Sequence, residues 1–376
     1  MADRNHVLRG AASVIGVGST DYAALRATGQ PVAPLELASR AIRLALEDCQ
    51  LDISDIDGLM TMNLLWDELA LRESMQDLRV IAEYSAGGRW VVPALLQATE
   101  SLAVGSADAI VVVLALSQLA SYADSAAPGA NTAFEAMHAT GGPGAHSALM
   151  ARRYSHEFGD CGAALREIAI SNRSNANLNS RAVYQNRITA DDYHAARYIA
   201  DPLRLFDYCM VNDGAVALVL SRTAEHSAGR AVSIGGLAAS ARQGTHYSAP
   251  DFYFRQSQDA AAEMFAMADL TAADIDLIQI YDNYTPSVLF ALDGFGFTER
   301  GSAGRFVEEG NITRSGSLPL NTSGGHTSEA YMQGMNLVAE AVTQLRGEAG
   351  ERQVAGAATA CFMCVTPLAG GCVLWR

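Results

Sequence analysis

The sequence contains no lysine; all 26 of its basic side chains are arginine. That absence removes whole classes of chemistry. Schiff-base aldolases, pyridoxal-phosphate enzymes and Walker-type nucleotide triphosphatases each need a lysine amine. No run approaches the roughly 20 apolar residues that span a bilayer, so membrane insertion is not expected. The opening Met-Ala-Asp-Arg-Asn-His lacks the charged-then-apolar pattern of a secretory leader, which makes the cytoplasm the expected location. Positive charge is scarce overall. The net charge of −15 leaves no basic footprint of the kind that nucleic acid or an anionic membrane requires. Cysteine is scattered too, apart from Cys361-Phe-Met-Cys364. A structural zinc wants four ligands, and no second Cys-x-x-Cys or spaced histidine pair accompanies this one. Buried, unbridged cysteines are therefore expected, with no metal in this chain.

What is present is ample apolar material. The 376 residues are 49% hydrophobic, enough for two core-forming halves. Strand-like and helix-like runs alternate. Ala12 to Gly18 reads as a buried strand, and Pro34 to Cys49 as a helix opening at proline. Gly58 to Met62 and Leu78 to Tyr84 return to strand, followed by a helix over Trp90–Val104. Ala109 to Leu116 is apolar throughout, as in a strand buried on both faces. The pattern changes over about 117–205, which reads as an insertion. There Gly141-Gly-Pro-Gly144 reads as a loop before a helix from Ala145, and the Asn-rich Ser171–Asn179 as a helix end and loop. After Asn212-Asp-Gly214 the order resumes. Strands are expected at Ala231–Gly235, Asp276–Tyr281 and Gly371–Trp375, with helices at Asp251–Ala268, from Pro286, and at Met335–Arg346. The division is thus 1–225 and 226–376.

Three segments carry the chemical signal. Glu83-Tyr-Ser85-Ala-Gly-Gly88-Arg follows a strand and precedes a long helix. Tyr281-Asp-Asn-Tyr284-Thr-Pro closes another strand, the edge where open α/β sheets place ligands. Asn321-Thr-Ser-Gly-Gly325-His-Thr-Ser-Glu-Ala-Tyr331-Met-Gln-Gly334-Met-Asn leads into the late helix. Ser85-Ala-Gly-Gly88 and Thr322-Ser-Gly-Gly325 form a faint internal repeat. These segments, with Ala151-Arg-Arg-Tyr154, Ala200 to Cys209 and Asn212-Asp-Gly214-Ala-Val-Ala, resemble the sterol-carrier and lipid-transfer branch of the thiolase superfamily. The Ser-Glu-x-Tyr-x-x-Gly-Met-Asn signature is most similar to the steroid side-chain-cleaving aldolases. The resemblance spans nearly the whole chain. It implies an α/β, five-layered α-β-α-β-α fold of two similar halves.

Within that resemblance serine (Ser85) stands where a thiolase has its cysteine, and tyrosines (Tyr281 and Tyr331) occupy two histidine slots. The family's usual glycine before the loop tyrosine is Ala330, and its usual histidine before Gly334 is Gln333. A phenol can donate a proton, or accept one if its surroundings lower its pKa. A buried tyrosine more often simply packs with its hydroxyl bonded; joint placement on two histidine slots favours catalysis by Tyr331 and Tyr281. Serine without a neighbouring base is a poor nucleophile, so Ser85 is expected to bind thioester through its backbone N–H or to cap the following helix. Gly325, His326 and Gly371 complete the expected substrate-binding set. Tyr84, Tyr284, Asp282, Asn283 and Glu329 are neighbours. His246 is expected at the surface or in a structural role, and Arg152-Arg153 is a candidate cluster for a CoA phosphate.

The expected reaction is retro-aldol cleavage of a β-hydroxyacyl-CoA, CoA being part of the substrate and no cofactor belonging to this chain. The resemblance also implies a homodimer core joined by a partner with a zinc ribbon and an OB-fold, zinc lying only in that partner. Two alternatives stand beside it: a non-catalytic acyl-CoA or lipid-binding scaffold, and an acyltransferase using Cys361 or Cys364.

Overall fold

The computed structural model describes residues 7–85, 87–121, 142–222, 229–242 and 251–376. Eleven strands are formed among these residues: β1 (Ser13–Ser19), β2 (Gly58–Met62), β3 (Val80–Tyr84), β4 (Ala109–Ser117), β5 (Tyr198–Ala200), β6 (Leu203–Arg204), β7 (Asp213–Ser221), β8 (Val232–Ala241), β9 (Leu277–Ile280), β10 (Thr359–Cys364) and β11 (Leu368–Trp375). Nine of them run in the order β3-β2-β4-β7-β1-β8-β11-β10-β9, while β5 and β6 pair separately. The order contains the same pattern twice. β4 is parallel to β2 and antiparallel to β7; β10 is parallel to β9 and antiparallel to β11. In each set the first strand, β1 or β8, lies against the last, β7 or β11. The two sets meet over only two residue pairs, Ser13 with Ser233 and Val14 with Val232.

Side-chain alternation along the strands explains the layering. Ile110, Val112 and Leu114 of β4, Val216 and Leu218 of β7, and Ala360, Phe362 and Cys364 of β10 all enter one central core. The helices Val91–Ala103 and Met335–Leu345 fill that core between the two sets of strands. The alternate residues face outward. Val111, Val113 and Val219 pack under the helix Pro34–Cys49, and Cys361, Met363 and Val373 under the helices Phe254–Ala268 and Pro286–Gly294. The result is the five-layered α-β-α-β-α arrangement. One local expectation changes: the helix expected from Ala145 already begins at Gly142 and runs to Phe158. The Asn-rich Ser171–Asn179 is a helix end and loop as expected, the helix Gly162–Ala176 ending within it. His246 lies outside the described residues.

One ion pair crosses three layers. Arg346, just past the central helix, is buried. It donates to Asp48 Oδ2 at 2.7 Å, to the Ile15 carbonyl of β1 and to the Arg230 carbonyl. Asp48, at the end of the outer helix, also accepts the Val17 N–H at 2.9 Å and Arg230 at 2.8 Å. Burial works to raise the Asp48 carboxyl, but these hydrogen bonds outweigh it and hold it below the usual range. Its folded-state pKa being depressed, the pair contributes fully above the unfolded value of about 4 and is lost as pH falls through the lower folded value. Arg346→Met should cost on the order of 3 kcal/mol in urea denaturation near neutral pH. Asp48→Asn should flatten the acid limb of the stability curve; an unchanged limb would contradict this account.

Candidate active site

Tyr281 directly follows β9, and its N–H extends the ladder by donating to the Met363 carbonyl of β10 at 2.8 Å. Its ring is buried. Tyr331 sits on the loop between the short helical turn Gly325–Ser328 and the helix Met335–Leu345, and is partly exposed. The two hydroxyls are 2.8 Å apart. The His326 ring lies edge-to-face with both, its centroid 4.9 Å from Tyr281 and 5.3 Å from Tyr331. Burial raises both phenols. The mutual charge and the shared hydrogen bond raise Tyr281 further, whereas the hydrogen bond lowers Tyr331. Of the two phenols, Tyr331 is the one with access to solvent.

The loop that carries Tyr331 is fastened by buried polar groups. Asp282, fully buried and next in sequence to Tyr281, accepts the His326 backbone N–H at 2.8 Å and the Asn172 amide at 2.7 Å. Its Oδ1 also lies 3.2 Å from His326 Nδ1. Gly325 is required here: its φ is +63°, and a Cβ would fall 2.3 Å from the Asp282 carboxylate. The Gly334 N–H donates to His326 Nε2 at 3.0 Å, so that nitrogen is an acceptor and the ring proton belongs on Nδ1, toward Asp282. The Tyr331 N–H donates to Asn212 Oδ1 at 2.7 Å. Glu329 accepts from Ser323, Asn336 and Asn179, and burial with the nearby Glu340 pushes its carboxyl up.

The Asn-rich stretch supplies much of this fastening, a role that sequence reasoning missed. Asn172, Asn175 and Asn179 lie along one side of the helix and its exit. Asn172 also bonds Thr327, Asn175 the Leu320 and Asn321 carbonyls, and Asn179 the Ser323 carbonyl. Their spacing was the available signal.

The serine loop is brought to the same place. A Cβ on Gly88 would lie 2.0 Å from the Tyr281 ring, so the bare backbone packs against the phenol. Ser85 itself is exposed and does not cap the helix, which begins at Val91 with Trp90 in the capping position. Tyr284 and Tyr208 meet edge-to-face at 5.0 Å. Cys209 is partly exposed beside the site; burial and Asp282 push its thiol up to about 12.

Gly371 is not brought to the pair. It lies inside β11, in register with Met363 on one side and Ala238 on the other. Both strand edges are occupied at that residue, and Met264 and Phe295 fill the space beside its Cα. Cys361 and Cys364 lie on opposite faces of β10, in different cores. Arg152 is paired with Asp201 and Arg153 with Glu157, so neither is a free cation for a phosphate. Asn172→Ala, which removes a donor to the buried Asp282, should cost about 1–3 kcal/mol in urea denaturation; a change below half that would show that Asp282 does not depend on it.

Residues 238–368 match the model of a thiolase C-terminal domain-like family. A 17-hydroxy-3-oxo-4-pregnene-20-carboxyl-CoA lyase of Mycobacterium tuberculosis is 32% identical over 369 residues, spanning 91% of this chain and 93% of the relative. A steroid side-chain-cleaving aldolase of Thermomonospora curvata is 33% identical over 364 residues, 91% of this chain and 92% of the relative. The solved structure of an Ltp2-ChsH2(DUF35) aldolase superposes with a TM-score of 0.90 at 30% identity, covering 98% of each chain. Identity at this level along nearly the full length of its relatives shows that the protein belongs to the steroid side-chain-cleaving aldolases of the thiolase superfamily.

Proposed function

We propose that the protein is a retro-aldol carbon–carbon lyase acting on a β-hydroxyacyl-CoA, a steroid side-chain thioester, which it cleaves to a ketone and a shorter acyl-CoA. The observation that carries this is the 2.8 Å Tyr281–Tyr331 hydroxyl pair in a member of an aldolase family. Tyr331, as phenolate with the Tyr281 hydroxyl donating to it, takes the proton of the substrate's β-hydroxyl. The oxygen's electrons form the ketone C=O, the Cα–Cβ bond breaks, and its electrons pass to the thioester as an enolate. The pair then returns one proton to Cα, and the phenolate is restored.

The acyltransferase alternative is not favoured. Cys361 and Cys364 are buried in β10, and burial drives both thiols up, Cys364 to about 12. The site needs no covalent nucleophile for retro-aldol cleavage, and Ser85 has no base beside it among the described residues. Turnover of a β-hydroxyacyl-CoA separates the lyase from a non-catalytic scaffold.

A homodimer core with one zinc-ribbon, OB-fold partner on each side completes the proposal, with no cofactor in this chain. Two observations support it. The related solved structure is an Ltp2-ChsH2(DUF35) aldolase. Among the described residues β3 pairs only with β2, so its outer edge, with Ile81 exposed, is open to a second strand. Light scattering should report a dimer, and activity should rise when an OB-fold partner is added. Full activity from the lone dimer would refute the partner requirement and leave the lyase reading intact.

Tyr331→Phe should lower kcat by about 10²–10⁴-fold with the circular dichroism spectrum unchanged; rates within threefold of wild type would sink the assignment. Because both phenols are raised, the reactive phenolate is a small fraction at neutral pH. The value of kcat/KM should therefore climb with pH into the alkaline range. Tyr281→Phe should shift that climb to higher pH, since it removes the donor to the phenolate. Ser85→Ala should keep rates within about threefold, its hydroxyl having no assigned proton to move.

A further inference from the structure

Gln333 is 5% exposed, and its backbone φ is +49°, a left-handed value uncommon for a residue other than glycine. Its side-chain oxygen is held from two sides. Oε1 accepts the Gly87 N–H at 3.0 Å and the Asn63 amide at 3.2 Å. A backbone N–H can only donate, so the atom facing Gly87 must be the oxygen, and the amide cannot be turned over. The NH₂ group is thereby fixed on the opposite side. Among the described residues it meets no acceptor, and both hydrogen bonds of this side chain are taken by Oε1. The same residue closes the site: its carbonyl lies beside Gly88, whose bare Cα packs against the Tyr281 ring. Gln333 therefore stands two residues from one phenol and one packing contact from the other, with an oriented and unspent N–H donor.

Cleavage creates an enolate whose charge rests on the thioester oxygen. An oriented donor aimed at developing charge in a desolvated site is worth far more than the same donor in water. The chain has no lysine, and Gly371, the other expected contributor, is locked inside β11. We infer that Gln333 is a catalytic residue of the cleavage reaction, its side-chain NH₂ donating a hydrogen bond to the thioester oxygen as the enolate forms. The inference rests on the lyase reading and adds the group that receives the charge.

Gln333→Glu separates donation from anchoring. The carboxylate keeps an oxygen toward Gly87 and Asn63, so the loop stays in place, and the NH₂ donor is replaced by an anionic oxygen that can only accept. Three quantities are read in the dimer with its partner: kcat on a β-hydroxyacyl-CoA, the dissociation constant for the product acyl-CoA, and exchange of that product's α-protons in D₂O, which reports enolate formation without the ketone. The expected result is a fall in kcat and in exchange of about 10²–10³-fold, with product affinity changed less than about tenfold and the thermal midpoint held. If the wild type turns over and Gln333→Glu stays within threefold, Gln333 is not the donor and the lyase reading survives. The same holds if Gln333→Ala loses activity while Gln333→Glu does not, since the side chain is then only an anchor. A wild type that neither cleaves nor exchanges overturns both.

Discussion

The site depends on the burial of one carboxylate. Asp282 has no exposed surface, and a charge so placed is tolerated only when donors surround it. The donors come from far along the chain: the His326 N–H and the Asn172 amide. Meeting that requirement fixes the rest. Tyr281 is the preceding residue, so its direction is set with the carboxylate. His326 must bring its backbone inward, which curls Gly325–Ser328 into a turn and leaves Gly325 no room for a side chain. The loop that follows then delivers Tyr331 to within a hydrogen bond of Tyr281. Two phenols 50 residues apart in sequence are paired because a carboxylate between the two segments has to be satisfied.

Burial also decides how the site can carry charge. It raises both phenols and the cysteines near them, Cys209 and Cys364. A thiolate nucleophile is thus disfavoured, and any phenolate must be stabilised locally. The neutral groups at hand are the paired Tyr281 and Tyr331 hydroxyls and the side-chain amides around them. The missing lysine and the missing catalytic cysteine are consistent with one another in this light.

Much of the architecture was legible in the sequence. The apolar run of β4 announces a strand buried on both faces, and Pro34 marks the first residue of its helix. The tyrosine segments were legible as well, since each follows a strand or glycine turn whose type the chain spells out. What remained hidden depends on partners distant in sequence. Asn172, Asn175 and Asn179 look like the solvated side of a helix, yet they are spent on carbonyls, a hydroxyl and a carboxylate 110 to 155 residues away. Gly371 opens the strand expected over Gly371–Trp375, yet it lies inside β11, and β8 and β10 close over both of its edges. Arg152 and Arg153 suggest a cationic patch until Asp201 and Glu157 are seen beside them.

The serine loop shows how a scaffold built for covalent chemistry can serve without it. In this chain Ser85 is exposed, and the loop meets the tyrosine site through the bare backbone of Gly87 and Gly88. Gly88 admits the Tyr281 ring and Gly87 grips Gln333. A side chain on Gly88 would have to displace the phenol or the carbonyl of Gln333. The loop therefore packs against the tyrosine pair from one half of the fold while the two phenols come from the other. The constraint on Gly88 is its contact with Tyr281 and the Gln333 carbonyl, that on Gly87 is its φ of +124°, and neither depends on what stands at position 85.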